Sequence, residues 1–486
     1  MKICLLLEGS YPYVTGGVST WAQMLIRNMG DFGFILYTIG AEEKYRSKYK
    51  YSLPGNVLEI HEIFLDEMVR ERGRYGTRYR LTEDISASLR ALMTGDTVNW
   101  ESIFEFVAKR RMKSELDFFM SRDFFDVLKG AYADKFKSVP FTEFFWTVRS
   151  MLVPLFFILN RMVPEADIYH SASNGYAGIV GAFGKYLYDK PFLLTEHGIY
   201  LREREEEIIK SGWAKPYFKD MWIRFFRNLC GCVYDYADQV FTLFEKNRDI
   251  EVELGCDKDK IRIVPNGIDV KELEKEVNNS VPAAEVRRNG LGFINIGSIT
   301  RVVPIKDIKT MIYSFNQVKR AVPNARFFIM GPTDEDEEYF HECVRLVERL
   351  DLNDVLFTGR VDIKKYIGEI DILVLTSISE GQPFVILEGM ACKKPFVCTD
   401  VGGCKELLYG RDDEFGRAGF IVPIMDVDKI SRAIIRLCED TDLRLEMGEN
   451  GYRRVSSIYS AERCIETYRN IYKAFVSQLS EIQAPS

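Results

Sequence analysis

Histidine is scarce in this chain, with four in 486 residues, so each one carries information about chemistry. Cysteine is present but unpatterned. The ten (4, 230, 232, 256, 343, 392, 398, 404, 438 and 464) are scattered, mostly in apolar contexts, with no Cys-x-x-Cys among them. Cys230-Gly-Cys232 is too tight for the usual zinc knuckle, so reduced, buried thiols in a cytoplasmic protein are expected. No apolar run reaches the roughly 20 residues that a bilayer-spanning helix needs. The greasiest stretch, FFWTVRSMLVPLFFIL at 144–159, is interrupted by Arg149 and Pro154, and reads as a buried or partner-facing helix pair, with a membrane-surface element as the alternative. MKICLLLEGS at the N-terminus is too short and too lightly charged for a signal peptide. Charge bias is weak as well: a formal net charge of -7 argues against a general binder of phosphate backbones, so no nucleic-acid partner is expected. Tandem repeats and low-complexity tracts are absent.

What is there is an ordinary globular composition, 47% hydrophobic and 28% charged, in a chain longer than one core usually grows. Two large domains are the expectation. KICLLL is almost wholly apolar, as a strand covered on both faces should be. The loop EGSYPYVTGG follows, then a helix with Val18, Trp21, Leu25, Ile26 and Met29 on one stripe, then the apolar run FGFILYTI. That is the β-loop-α-β opening of a doubly wound sheet. From about 65 to 160 the alternation stops and a helical insertion is expected; it resumes at ADIYH (166–170), PFLLTEH (191–197), DQVFTL (238–243) and KIRIVPNGID (260–269). The polar stretch 270–290 reads as the domain boundary. A second opening, LGFINIG followed by SITRVVP and a helix from about 306, starts a second alternating domain. The organisation expected is a first domain over 1–275, a second over 290–460, and a final helix at 461–486 returning to the first, with a deep cleft at the carboxyl ends of the two sheets.

The candidate chemistry falls at strand ends. Arg301 and Lys306 flank a proline turn directly after a strand, beside a helix start, and two cations there suit a diphosphate. In TSISEGQPFVILEGMA (376–391), Glu380 and Glu388 bracket an apolar stretch. A helix started by Pro383 turns its free N–H groups to the ligand end and carries Glu388 about a turn and a half inside. Gly16 and Gly17 open a helix, so backbone N–H groups there can approach a ligand without a Cβ in the way. His197, in TEHGIY, ends a strand and precedes a glycine; structural and catalytic readings weigh evenly for it.

Together these motifs make the second domain resemble the donor-binding half of a retaining GT-B glycosyltransferase of family 4. Arg301 and Lys306 match that family's Arg-x4-Lys, Glu380 and Glu388 its Glu-x7-Glu, VPNGID at 264–269 its interdomain signature, and VGG at 401–403 its following loop. The whole chain is most similar to the cytoplasmic glycosyltransferases of Pel-type exopolysaccharide synthesis. The resemblance implies an α/β GT-B fold, two Rossmann-like open-sheet domains with a helical insertion in the first. It also implies roles. Arg301 and Lys306 would hold the donor diphosphate. Glu380 would bind sugar hydroxyls, the backbone amides of the turn Gly381, Gln382, Pro383, Phe384 and Val385 would approach sugar and phosphate, and Glu388 would take the ribose. His197 would meet the sugar near its 6-hydroxyl, Gly16 and Gly17 would close over the phosphates, and the backbone around Arg360 would read the base. Two departures stand out: Asp307 follows Lys306 where the family often has glycine, so that a side-chain cap on the helix start is expected, and Gln382 replaces a more frequent apolar residue.

No metal is expected. The Asp-x-Asp triplets at 257–259, 334–336, 426–428 and 440–442 all fall in polar helix-start or loop contexts, where capping is the simpler use. The activity implied is transfer of a hexose, glucose from UDP-glucose being favoured, with a glycan as acceptor. The UDP-sugar serves as substrate, and integral-membrane proteins are expected to hold the chain at the inner face of the cytoplasmic membrane without a span of its own. A glycogen-synthase-like enzyme differs mainly in acceptor. A sugar-nucleotide epimerase would need acid–base groups that are not evident, and a non-catalytic assembly subunit would not need every phosphate and sugar contact.

Overall fold

The computed structural model describes residues 1–70, 78–109, 112, 114–287, 292–411 and 413–482. They divide into two compact units, one drawn from 1–242, 247–263 and 468–482, the other from 243–246 and 264–467.

The first unit is built on seven parallel strands in the order β3-β2-β1-β4-β5-β6-β7. These are β1 (Lys2–Glu8), β2 (Gly33–Gly40), β3 (Val57–Phe64), β4 (Ile168–Ser171), β5 (Phe192–Glu196), β6 (Gln239–Thr242) and β7 (Ile261–Ile263). Ile3 to Leu7 are buried almost completely, which is why β1 shows no apolar/polar alternation. β3 lies at the sheet edge, where its mix of Glu59, His61 and Glu62 with apolar residues is tolerated and discourages further strand pairing.

Among the described residues between β3 and β4 stand a 3-10 turn, Leu65–Arg70, and five α-helices, Glu83–Thr94, Trp100–Lys109, Glu115–Phe119, Arg122–Lys135 and Phe141–Leu159. Residues 71–77, 110, 111 and 113 of the expected insertion lie outside the described residues. The stretch expected as a helix pair is one helix, Phe141–Leu159, which continues through Pro154 because its buried neighbours Val153 and Leu155 hold both sides in the core. It is the one described helix long and apolar enough to cross a membrane, yet 56% of its apolar window is buried inside the unit. Phe144, Phe156 and Phe157 are fully enclosed; Trp146, 55% exposed, is the aromatic that faces out, with the Arg149 guanidinium 5.4 Å from its ring centre. An open pocket of about 500 Å³ runs between these two and Phe125, Phe145 and Arg122.

The helix Ala461–Ile482 begins in the second unit and ends in the first, where Tyr468 and Tyr472 are fully buried. The Tyr472 hydroxyl lies 2.6 Å from His170 Nδ1, the Thr195 hydroxyl 2.8 Å from His170 Nε2, and the Tyr468 hydroxyl 3.0 Å from Thr195 Oγ1. His170 is thus a satisfied core residue, and burial pushes its pKa down to about 3, so it stays neutral.

The second unit carries six parallel strands in the order β10-β9-β8-β11-β12-β13. They are β8 (Ile294–Ile299), β9 (Ala325–Met330), β10 (Val355–Gly359), β11 (Ile372–Leu375), β12 (Phe396–Thr399) and β13 (Gly419–Val422). The order reverses between β8 and β11, and the carboxyl ends of strands at such a switch point are the place where open α/β sheets bind ligands. Arg454, with no exposed surface, closes the far side: it pairs with Asp413 at 2.8 Å and donates to the carbonyls of Leu407 and Leu408, fixing the end of the helix Cys404–Tyr409.

Candidate functional site

The loop leaving β8 and the loop leaving β11 are bonded to one another. Ile378 N–H donates to the Ile305 carbonyl at 2.9 Å, and the Thr376 hydroxyl donates to the carbonyls of Lys306 and Asp307 at 3.0 and 3.1 Å. On this frame Lys306 Nζ lies 2.5 Å from Glu380 Oε1, the side chains being 16% and 11% exposed. Ser377 Oγ also donates to Glu380 Oε1, at 2.5 Å. The structure therefore joins a cation and a carboxylate that are 74 positions apart in sequence into one polar pair at the switch point.

Asp307 explains its own departure from glycine. It adopts a left-handed φ of 49°, and its side chain accepts from Thr310 N at 3.3 Å, capping the helix Ile308–Ala321. Aspartate tolerates this region better than most residues, and the cap offsets the strain.

Arg301 turns elsewhere. Its guanidinium pairs with Glu335 at 2.6 Å and is 52% exposed. Arg360, after β10, reaches Asp334 at 3.4 Å. The backbone below Arg301 is tight: a Cβ on Gly331 would sit 2.0 Å from the Thr300 carbonyl oxygen. The acidic triplet at 334–336 is thereby occupied, since Asp336 caps the helix Glu337–Arg349 through Tyr339 N at 2.9 Å. In the other triplets Asp257, Asp426 and Asp440 accept the backbone N–H groups of Asp259, Lys429 and Leu443. Among the described residues no group of three or more His, Cys, Asp or Glu is placed to hold a metal ion.

The turn after Glu380 is gripped from below by the VGG loop. Gly403 N–H donates to the Gly381 carbonyl at 2.9 Å, and Gly402, at a φ of +52°, passes so close that a Cβ would lie 2.2 Å from the Glu380 carbonyl oxygen. Pro383 sits at the N-cap of the helix Phe384–Ala391. Phe384 and Val385 are half-buried, and Ile386, Leu387 and Met390 are wholly buried, so the apolar run anchors the helix while its first N–H groups stay at the open end. Glu388 is half-buried, and burial pushes its carboxyl up to about 7, against a smaller downward pull from Lys364.

In the first unit, Gly16 and Gly17 are exposed at the start of the helix Gly17–Asn28, with open space where a Gly16 Cβ would be. Trp21 of that helix packs its ring 4.8 Å from His197, edge to face. His197 Nε2 is enclosed without a hydrogen-bond partner among the described residues, and burial lowers the ring's pKa to about 3, so it is a neutral imidazole. Glu196, which sequence reasoning passed over, holds that turn. Its Oε1 accepts from Tyr200 N at 2.9 Å and its Oε2 from the Tyr234 hydroxyl at 2.8 Å, with 1% of the residue exposed. Its signal was a carboxylate on a strand otherwise read as buried.

Comparison with known proteins places both halves. Residues 289–454 match the family described as Glycosyl transferases group 1, and residues 1–259 match the one described as Domain of unknown function (DUF3492). The chain belongs to the DUF3492 family. This DUF3492 chain is related to Escherichia coli UDP-Gal:alpha-D-GlcNAc-diphosphoundecaprenol alpha-1,3-galactosyltransferase, with 23% identity over 331 residues, 66% of this chain and 78% of that protein. Its fold is that of Anabaena HepE, solved in complex with UDP and glucose (TM-score 0.60, 17% identity, 98% of this chain and 100% of that one). Sucrose-phosphate synthase of Thermosynechococcus elongatus shares it too (TM-score 0.58, 16% identity, 98% and 99%). The DUF3492 chain is a GT-B-fold glycosyltransferase related to group 1, with a helical insertion in its first unit.

Proposed function

We propose that this chain transfers a hexose from a UDP-sugar, with retention of anomeric configuration, to a growing exopolysaccharide of the Pel type, and that the donor is UDP-glucose. The observation that carries the donor reading is the Lys306–Glu380 pair at the β8/β11 switch point, beside the free helix end at Phe384. Support for UDP and glucose comes from HepE, whose solved complexes hold UDP, UDP with glucose, and UDP-glucose. The Pel assignment rests on the sequence resemblance.

In this reading Lys306 and Arg301 take up negative charge as the diphosphate leaves, and the helix N-terminus at Phe384 adds oriented N–H groups. Glu380, held by Lys306 and Ser377, presents its remaining lone pairs to sugar hydroxyls. Glu388 accepts from the ribose, and backbone groups around Arg360 read the base. Gly16 and Gly17 close over the phosphates, and His197, a neutral imidazole, meets the sugar near its 6-hydroxyl as an uncharged hydrogen-bonding group. Calorimetry with UDP and a panel of nucleotide sugars tests the assignment directly, together with a donor-hydrolysis assay. Micromolar UDP binding and slow hydrolysis of UDP-glucose are expected; a chain that binds none of the panel does not fit this function. Because cationic side chains meet the diphosphate, hydrolysis is expected to survive EDTA and to change little with added magnesium. Loss on chelation with recovery on a stoichiometric divalent ion would return a metal to the mechanism.

The chain acts in the cytoplasm, recruited to the membrane by integral-membrane proteins rather than by lipid. Most of the aromatic payload of 144–159 is packed inward, which leaves little for a bilayer to take up. Purified chain alone is expected not to float with anionic liposomes at physiological salt. Stable co-flotation would show direct lipid binding.

A further inference from the structure

The Gln382 side chain turns away from the ligand end of its turn and into the interior of the second unit. It is 7% exposed, and its Oε1 accepts the backbone N–H of Asn266 at 2.7 Å, across 116 positions of chain. Asn266 is itself 3% exposed, and among the described residues its own Oδ1 has no partner, so the Gln382 bond is a polar contact that fixes this residue from that side. Its neighbours are fixed from the other side. A Cβ on Gly267 would lie 2.4 Å from the Ser460 carbonyl oxygen, Ile268 N–H donates to the Tyr459 carbonyl at 3.0 Å, and Ala461 N–H donates to Ile268 at 2.8 Å.

The position matters because Val264 is where the chain re-enters the second unit from the first, two residues before Asn266. The other short segment that the second unit takes from mid-chain, Leu243–Lys246, fastens on the same neighbourhood. Glu245 N–H donates to Glu406 Oε1 at 2.9 Å, Glu245 also pairs with Arg411, and the Phe244 ring lies against Gly403. Gly403 in turn holds the Gly381 carbonyl. The turn Glu380–Pro383 is therefore bonded on one side to the VGG loop, which carries the 243–246 segment, and on the other, through one side-chain oxygen, to the 264–268 segment.

We infer that Gln382 is a positioning residue that couples the nucleotide-sugar turn to Asn266, so that occupancy of the turn sets the order of the segment through which the chain enters the second unit. The inference rests on the proposal that this turn binds a nucleotide sugar. An apolar side chain of the same size would fill the space but would leave the Asn266 N–H buried without an acceptor. A glutamate would keep an acceptor for that N–H.

The test is amide hydrogen exchange on the full chain with and without UDP, for the parent, Gln382→Met and Gln382→Glu, beside calorimetry of UDP on each. In the parent, saturating UDP is expected to slow exchange of the Asn266 amide, by about tenfold if one buried hydrogen bond is the link. In Gln382→Met the amide is expected to exchange fast and to ignore UDP even though UDP still binds; in Gln382→Glu the response returns. A purely structural glutamine would slow or speed exchange equally with and without UDP. If the parent binds UDP and the Asn266 amide does not respond, the coupling is wrong, and that measurement stands even should a variant fail to fold. The coupling is equally wrong if Gln382→Met responds like the parent, or if a folded Gln382→Glu stays unresponsive. Absence of UDP binding to the parent would instead overturn the donor assignment, and this inference with it.

Discussion

Lys306→Ala is expected to weaken UDP binding by roughly ten- to a hundredfold, as loss of a charge-assisted contact of about 1.5–3 kcal/mol implies. It should cost more than Arg301→Ala. Both cations sit on the loop after β8, but their surroundings differ. Lys306 is 16% exposed and pairs with a carboxylate that is 11% exposed, whereas Arg301 is 52% exposed and pairs with Glu335 in solvent. Removing Lys306 also leaves Glu380 with only the Ser377 hydroxyl as its hydrogen-bond donor among the described side chains, so an uncompensated negative charge remains beside the diphosphate. For Arg301→Ala, screening by water limits the expected loss to a few-fold. Glu380→Ala should behave in the opposite way: it releases Lys306, so UDP binds as well as before or better, while the advantage of UDP-glucose over UDP disappears. Titration calorimetry on the three variants with both ligands reads all of this. A Lys306→Ala chain that binds UDP like the parent, or an Arg301→Ala chain that loses more, would mean that the phosphates lie elsewhere.

Much of this site was legible because its elements announce themselves locally. Unbroken apolar runs such as KICLLL mark strands buried on both faces, and the spacing of Arg301, Lys306, Glu380 and Glu388 survives any rearrangement of side chains. Asp307 was readable as a cap from its place before a helical stretch. What was not legible depends on tertiary partners. β3 escaped because an edge strand can carry Glu59, His61 and Glu62, which break the apolar pattern that identifies inner strands. The bonds of His170 reach a tyrosine 302 positions away, and no local signal separates such a core histidine from a ligand. Arg301 and Lys306 look equivalent on paper; their difference comes from Glu335 and Glu380, contributed by two other loops. The role of the Gln382 side chain was hidden for the same reason, since Asn266 belongs to a segment more than a hundred residues earlier.

Glu388 gives the site a pH signature with a definite sign. Burial, opposed by Lys364, pushes its carboxyl from the usual 4.5 up to about 7. A carboxylate that accepts ribose hydroxyls must be ionised, so UDP affinity should track the ionised fraction, falling about tenfold between pH 8 and pH 6. Stability should move the other way. A carboxyl whose folded pKa lies above its unfolded value favours folding below the unfolded pKa, and that advantage is lost as the pH rises from about 4.5 through about 7. The parent is therefore expected to bind UDP best at the pH where Glu388 contributes least to stability. Glu388→Gln removes both slopes: it should melt higher than the parent at pH 8 and the same at pH 4, and its weaker UDP affinity should be flat between pH 6 and 8. Glu388→Ala should weaken UDP and UDP-glucose alike, because the ribose is common to both. Calorimetry and thermal melts across this range decide it. A parent whose UDP affinity is flat from pH 6 to 8, or a Glu388→Gln chain that keeps the parent's slope, would assign the ribose contact to another group.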